Sequence, residues 1–192
     1  MKTLLIASAN KGKIKEFKRF LSDLPLELVA QPEGLKVEET GISFAENARL
    51  KAIAVARSTG EIALADDSGL SVKSLNGAPG IFSARYANSD SERILRLLKD
   101  LEEFSDRSAF FSAALCLASP TGKVLFEVEG ICNGLISYKP RGKNGFGYDP
   151  VFEVNGTNLT YAEMEPQQKK LLGHRGRALE GLLPGLKKIF DF

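Results

Sequence analysis

Short apolar runs alternate along the chain with stretches in which apolar residues recur at helical spacing. Thr3–Ala9 is an apolar run typical of a buried strand, and Lys11–Leu24 follows it with the spacing of an amphipathic helix. A second strand is predicted over Leu26–Ala30. Ile62–Ala65 predicts another, which ends at an acidic turn beginning with Asp66. Strands that alternate with helices are typical of α/β proteins.

Capping signals predict where several helices begin. Ser43 and Ser89 each stand three residues before a glutamate, a capping box that satisfies free amides of a first helical turn. The same signal at Thr160 predicts one more short helix. A last helix is predicted over His174–Phe190, with an interruption at Pro184 because proline cannot donate the helical hydrogen bond.

A hairpin signal lies in the middle of the chain. Two apolar runs, Ala109–Ala118 and Val124–Ile131, flank a turn over residues 119–122 that contains proline and glycine. Because a hairpin pairs its strands antiparallel, the sheet is predicted to be mixed and the fold class is α/β, a mixed β-sheet flanked by helices. No repeat or linker divides the chain, so we expect one domain over residues 1–192.

Composition and charge exclude several classes of function. The 192 residues carry 26 Lys and Arg against 24 Asp and Glu, and a net charge of +2 requires neither nucleic acid nor membrane as a partner. One histidine and two cysteines make zinc and iron–sulfur sites poor candidates. Cys116 and Cys132 lie in apolar segments without a CxxC pattern, which predicts buried thiols. The apolar runs are too short for a secretion signal or a membrane span, so we expect a cytoplasmic protein.

Five segments have patterns associated with binding or catalysis, and the first is the loop Ser8–Lys13. It leaves the first strand and enters a helix, where outward amides, the helix dipole and lysines favour an anion. No Gly-Lys in the chain is followed by Ser or Thr, so the loop is not a Walker P-loop. A plain strand–helix turn with solvated lysines is the alternative.

Two acidic clusters form the next pair of candidate segments. Glu38 and Glu39 are followed by Glu46, and Asp66 and Asp67 follow an apolar run. Magnesium takes oxygen ligands and commonly uses one or two carboxylates together with substrate phosphates. A polar turn with an Asx bend explains the second cluster equally well.

The last two segments combine an aromatic ring with hydrogen-bond donors. Glycines on both sides of Phe146, within Gly145–Pro150, allow a flat ligand to approach the ring. The segment also imitates an RNA-binding strand, but the aspartate and proline that end it do not suit one. The only histidine, His174, follows Lys169 and stands beside Arg175. In that position the histidine could donate a hydrogen bond to a carbonyl or phosphate oxygen. Together, carboxylates for magnesium, lysines for phosphate and a stacking ring are what a nucleoside triphosphate site requires.

With these segments in order, the chain resembles the inosine triphosphate pyrophosphatase family along essentially its whole length. The motifs that carry the resemblance stand in order: SANKGK at 8–13, EETGISFAENARLKA at 38–52, ADDSGLSVKSLNGAPGIFSARYA at 65–87, GFGYDPVF at 145–152, and Lys169 ahead of HRGRAL at 174–179. The resemblance implies hydrolysis of non-standard purine nucleoside triphosphates (ITP, dITP, XTP) to the monophosphate and pyrophosphate. It also implies an elongated, two-lobed sheet with the substrate in a cleft between lobes, and a homodimer.

Roles for individual residues come from the same resemblance. Asp67 and Glu39, or Glu38 by one step of register, would hold Mg²⁺, and Asp67 would also act as general base. Residues on the phosphate side would be Ser8, Ala9, Asn10, Lys11, Gly12, Lys13 and Lys51. Those on the base and sugar side would be Ser68, Phe146, Gly147, Tyr148, Asp149, Lys169, His174 and Arg175, the last two near the 6-keto edge of the base.

Three positions depart from the family pattern, and none carries charge. Ala9 replaces a common glycine, Gly173 replaces the serine that usually precedes His-Arg, and Asn144 replaces a glycine. The first removes conformational freedom and the second removes a potential helix cap. We therefore expect an active enzyme. The alternatives are a Maf-like nucleotide pyrophosphatase and a nucleotide- or RNA-binding module without catalysis.

Overall fold

The computed structural model describes residues 2–192, and helices and strands alternate along them. In chain order the elements are β1 (Lys2–Ala7), α1 (Lys11–Phe20), β2 (Leu26–Ala30), α2 (Phe44–Thr59), β3 (Ala63–Val72), α3 (Asp90–Asp100), β4 (Ser108–Ala118), β5 (Val124–Ile136), β6 (Phe152–Val154), α4 (Pro166–Leu172) and α5 (His174–Phe190). Two short 3-10 helices, Lys73–Leu75 and Gly80–Arg85, follow β3.

The strands of residues 2–192 form one six-stranded sheet in the order β2-β1-β3-β4-β5-β6. β1 pairs in parallel with β2 and with β3, and Ile6 lies opposite Ala30 on one side and Leu64 on the other. β5 and β6 pair antiparallel. The sheet is therefore mixed, which confirms the α/β fold class.

The described chain divides into two compact units, each with its own apolar core. The first unit comprises residues up to 67, 113–130 and 178–192, and the second comprises 68–112 and 131–177. In the first unit, Phe17 of α1 and Leu182 and Leu186 of α5 are buried together with Ile6 of β1. In the second unit, α3 packs its apolar face, including the fully buried Leu97, into a cluster rich in aromatic rings.

Local capping accounts for the ends of two helices. Ser43 accepts a hydrogen bond from the Glu46 amide at 3.2 Å and begins α2, which ends at Gly60 in the left-handed region. Ser89 and Glu92 form the full reciprocal box at the start of α3. Both helix starts are confirmed.

The strand predicted over Ile62–Ala65 is longer than expected. β3 continues to Val72, so the acidic pair lies inside a buried strand and the predicted turn is wrong. Two lysines make this arrangement tolerable: Lys13 Nζ is 3.5 Å from Asp66 Oδ2, and Lys51 Nζ is 2.8 Å from Asp67 Oδ1. Buried carboxylates are stable in a protein interior when such partners compensate for lost hydration.

Two helix predictions are also corrected. α5 runs through Pro184 without interruption, because the buried Leu182 and Leu186 on either side hold the segment in the core. The residues after Thr160 form only a turn, since its hydroxyl donates to the Arg141 carbonyl at 2.9 Å instead of capping a helix. Among residues 2–192, no helix is both long enough and apolar enough to cross a membrane.

Candidate active site

In the first unit, the loop Ser8–Lys13 forms the N-terminus of α1. Asn10 is the N-cap and its Oδ1 accepts from the Lys13 amide at 3.1 Å, while Ser8 Oγ accepts from the Asn10 amide at 3.1 Å. The backbone of Ala9 lies outside the positive-φ region, so the missing glycine causes no strain there. A helix start with flanking lysines is suited to an anion.

Lys51 joins two of the predicted acidic ligands. Projecting from α2, its Nζ lies 2.7 Å from Glu39 Oε1 and 2.8 Å from Asp67 Oδ1. Burial opposes the positive charge, but attraction and hydrogen bonds from Asp67 and Glu39 outweigh it and raise the pKa of Lys51. The ammonium group therefore stays charged and holds the two carboxylates close together. Glu38, the alternative in register, is exposed.

Asp67 is buried and its two oxygens differ in their surroundings. Oδ1 binds Lys51, whereas Oδ2 is buried and accepts no hydrogen bond from any residue in 2–192. Burial raises the pKa of Asp67 above its usual range, although Lys51 and Lys13 act in the opposite direction. An oxygen of this kind suits a cation or a proton.

The first unit's acidic residues match the donor set that magnesium prefers. Within the described residues no group of three or more His, Cys, Asp or Glu side chains is arranged to hold a metal. Magnesium does not need one, because one or two carboxylates, waters and substrate phosphates complete its shell. Asp67 with its bare Oδ2 and the neighbouring Glu39 fit that requirement.

In the second unit, the segment Gly145–Pro150 forms turns and not an RNA-binding strand. Asp149 Oδ2 closes the loop by accepting the Phe146 amide at 2.9 Å, and it binds Lys169 Nζ at 2.6 Å. Gly145 has φ of +81°, and a Cβ there would clash with Asp149 Oδ2. From α3, Asp90 Oδ2 accepts the Gly147 amide at 2.7 Å. The loop is thus held by a contact within itself and by contacts with Lys169 and α3.

Cationic groups of the second unit surround the half-buried ring of Phe146. Lys169 Nζ lies 5.2 Å from the ring centroid and the Arg175 guanidinium carbon lies 5.9 Å from it. Arg175 also donates to Ser68 Oγ at 2.8 Å. An aromatic face bordered by fixed donors suits a nucleobase, which stacks on the ring and presents acceptors at its edge.

His174 and Tyr148 are buried in the same unit. Tyr148 donates to the Ser83 carbonyl at 2.9 Å, and burial raises its pKa. The His174 ring stacks on Phe111 with centroids 4.7 Å apart, and its Nδ1 lies 3.1 Å from the Tyr161 hydroxyl. Tyr148 therefore anchors the Gly145–Pro150 loop, while His174 is held by aromatic neighbours.

The predicted residues thus form two groups, one in each unit. In the first unit, an ion pair joins Lys13 to Asp66. Lys51 forms ion pairs with both Glu39 and Asp67. The residues of the second unit gather around Phe146: Ser68, Asp149, Lys169 and Arg175. Sequence reasoning missed Phe111, Tyr161 and the contact of Asp90. Their partners lie from 13 to 63 residues away in the chain, so no local pattern marks them.

The chain is similar to known proteins over nearly its whole length. A model of the Ham1 family matches residues 4–185. A dITP/XTP pyrophosphatase of Prochlorococcus marinus is 66% identical over 98% of this chain and 94% of its own, and one from a Synechococcus strain is 60% identical over 99% and 92%. Among solved structures, a HAM1 protein from Coxiella burnetii is 44% identical with a TM-score of 0.88, over 98% of this chain and 100% of that one.

Proposed function

Since the chain belongs to the Ham1 family, as its motifs indicate, we propose that it hydrolyses non-standard purine nucleoside triphosphates. The substrates would be ITP, dITP and XTP, and the products the nucleoside monophosphate and pyrophosphate. Relatives named dITP/XTP pyrophosphatase, up to 66% identical, support this activity. The structural observation that carries it is the bridge that Lys51 forms between Glu39 and the buried Asp67.

Asp67 is proposed as the general base. Its carboxylate takes a proton from the water that cleaves the link between the α- and β-phosphates, while the contact of Oδ1 with Lys51 fixes the carboxylate plane. The raised pKa makes it a stronger base than an ordinary aspartate.

Magnesium is the proposed cofactor, with Asp67 and Glu39 as its protein ligands. When bound, the ion neutralises phosphate charge and fixes the orientation of the triphosphate. Lys13 and Lys51 add positive charge on the phosphate side, and the amide groups at the start of α1 offer hydrogen bonds to phosphate oxygens.

The second unit's residues are proposed to recognise the base. Phe146 stacks on the purine, while His174 and Arg175 donate to the 6-oxo group of hypoxanthine or xanthine. Adenine carries an amino donor at that position and leaves those donors unpaired, a loss of roughly 1–3 kcal/mol for each buried contact. Asp149 binds the Phe146 amide and forms an ion pair with Lys169, so both residues help to hold the stacking ring in place.

We also propose that the protein acts as a homodimer in the cytoplasm. The free, buried thiols of Cys116 and Cys132 suit a reducing compartment. Light scattering on a size-exclusion column tests the oligomeric state directly, and a monomeric mass at working concentration would contradict the dimer.

The experiment that tests the activity is product identification from ITP by phosphorus NMR. With magnesium, we expect IMP and pyrophosphate, and chelation by EDTA should abolish turnover. IDP and inorganic phosphate would indicate a phosphatase acting at the terminal group. Tight ITP binding without any product would indicate a binding module, and either result would overturn the proposal.

A further inference from the structure

The hydroxyl of Tyr161 lies against two nitrogens of His174. It is 3.2 Å from the His174 backbone amide and 3.1 Å from the imidazole Nδ1. The tyrosine is fully buried and the histidine 4% exposed. His174 is the first residue of α5, so its amide belongs to the turn that lacks helical acceptors. The Tyr161 hydroxyl supplies an acceptor for this first-turn amide.

The number of protons available shows which atom donates in the hydrogen bond between the Tyr161 hydroxyl and His174 Nδ1. A backbone amide can only donate, so the Tyr161 oxygen accepts that proton and has one proton of its own to give. Burial raises the pKa of Tyr161 well above its usual value, so the hydroxyl keeps this proton. The Cys132 thiol also interacts with the hydroxyl, but sulfur is a weaker acceptor than an imidazole nitrogen. The proton therefore goes to Nδ1.

Stacking prevents the imidazole from escaping this bond by rotation. Phe111 lies nearly parallel to the ring, with 13° between the planes and 4.7 Å between centroids. Tyr161 approaches the same ring at 5.7 Å and 27°. A flip about χ2 would place a carbon against the tyrosine hydroxyl and would lose the bond. Ring plane and hydrogen bond are thus fixed together.

We propose that Tyr161 is a positioning residue that holds His174 as the neutral imidazole protonated at Nε2. A nitrogen held in this form is a constant donor, which can meet the 6-oxo group of a purine but not the 6-amino group of adenine. The other tautomer would present a lone pair at Nε2 and would favour adenine. The link to substrate choice rests on the proposed function, whereas the tautomer itself does not.

The chain contains a single histidine, so its tautomer can be read without assignment. Long-range proton–nitrogen correlation spectra of ¹⁵N-labelled protein, prepared without a histidine tag at about pH 8, where an ordinary imidazole is neutral, should show one imidazole with Nδ1 unprotonated and Nε2 protonated. A ring protonated at Nδ1, or at both nitrogens, would overturn the proposal. This measurement needs neither a variant nor catalytic activity.

Tyr161→Phe removes the hydroxyl and keeps the ring. The expected spectrum shows the Nδ1–H form or a mixture of tautomers, and the ratio of kcat/KM for ITP to that for ATP should fall roughly three- to tenfold, the worth of one hydrogen bond. Tyr86→Phe is the matched control, since it removes a hydroxyl bonded to Asp100 in the same unit. It should change neither readout.

Each result of the comparison decides a separate part of the proposal. An unchanged imidazole spectrum in Tyr161→Phe would show that the hydroxyl does not set the tautomer. A changed tautomer with an unchanged ITP to ATP ratio would refute its role in substrate choice. If the wild-type protein has no pyrophosphatase activity, the proposed function fails while the spectra still test the tautomer.

Discussion

The buried pair of Lys169 and Asp149 offers a stability test that is independent of substrate. Nζ lies 2.6 Å from Oδ2, and the two side chains are only 10% and 5% exposed. In Asp149→Asn the amide oxygen can still accept the Phe146 amide, but the carboxylate charge that compensates the buried ammonium is lost. Because truncating one partner of a buried pair typically costs 3–5 kcal/mol, we expect a loss of about 3 kcal/mol in the free energy of unfolding.

The size of this effect can be measured by urea and thermal unfolding. For a chain of this length, about 3 kcal/mol corresponds to a fall of roughly 6–12 °C in Tm. Lys169→Met should have a similar effect because it leaves the carboxylate buried. The double variant should lose clearly less than the sum of the two, since neither charge then remains in the interior.

An exposed ion pair serves as the control. Arg49 and Glu127 are bonded at 2.8 Å, but their side chains are 45% and 35% exposed. Glu127→Gln should therefore cost less than about 1 kcal/mol. If Asp149→Asn costs no more than this control, or if the two changes at the buried pair are additive, the reasoning about that pair is wrong.

Three further predictions concern the active residues and the cysteines. Asp67→Asn should keep the fold, because an amide oxygen still accepts from Lys51. It should lower kcat, measured by pyrophosphate release, at least about a hundredfold. Near-normal turnover would exclude Asp67 as the base. Phe146→Ala should raise KM for ITP about tenfold through loss of stacking, and a fall in Tm without a change in KM would assign the ring a structural role only. Burial raises the pKa of Cys116 to about 12 and also raises that of Cys132. Iodoacetamide at about pH 8 should therefore label the two thiols only in urea. Rapid labelling of the folded protein would contradict their burial.

Local chemistry made part of the fold readable from the sequence. Ser43 and Ser89 cap their helices through residues three positions away, and Gly60 directly follows the last residue of α2 and ends that helix. Such signals act within a few residues, so a linear pattern contains all that is needed. The mixed sheet followed from the hairpin and the alternation of elements.

Features that depend on distant partners could not be read in this way. Asp66 and Asp67 predicted a turn, whereas contacts with Lys13 and Lys51 in other elements help to keep them in β3. α5 crosses Pro184 because of packing, which overrides local propensity. The residue types of the site followed from motif order. Sequence could not distinguish Glu38 from Glu39, since adjacent residues have the same local pattern; in the structure Glu39 contacts Lys51 and Glu38 is exposed.

Selectivity between ITP and ATP tests the central claim most directly. We predict that kcat/KM for pyrophosphate release, measured with magnesium under identical conditions, is about thirtyfold or more higher for ITP than for ATP. This follows from the loss of two buried donor contacts at roughly 1–3 kcal/mol each. Equal values for the two nucleotides would contradict recognition of the 6-oxo group by His174 and Arg175, and with it the proposed role in hydrolysing non-standard purine nucleotides.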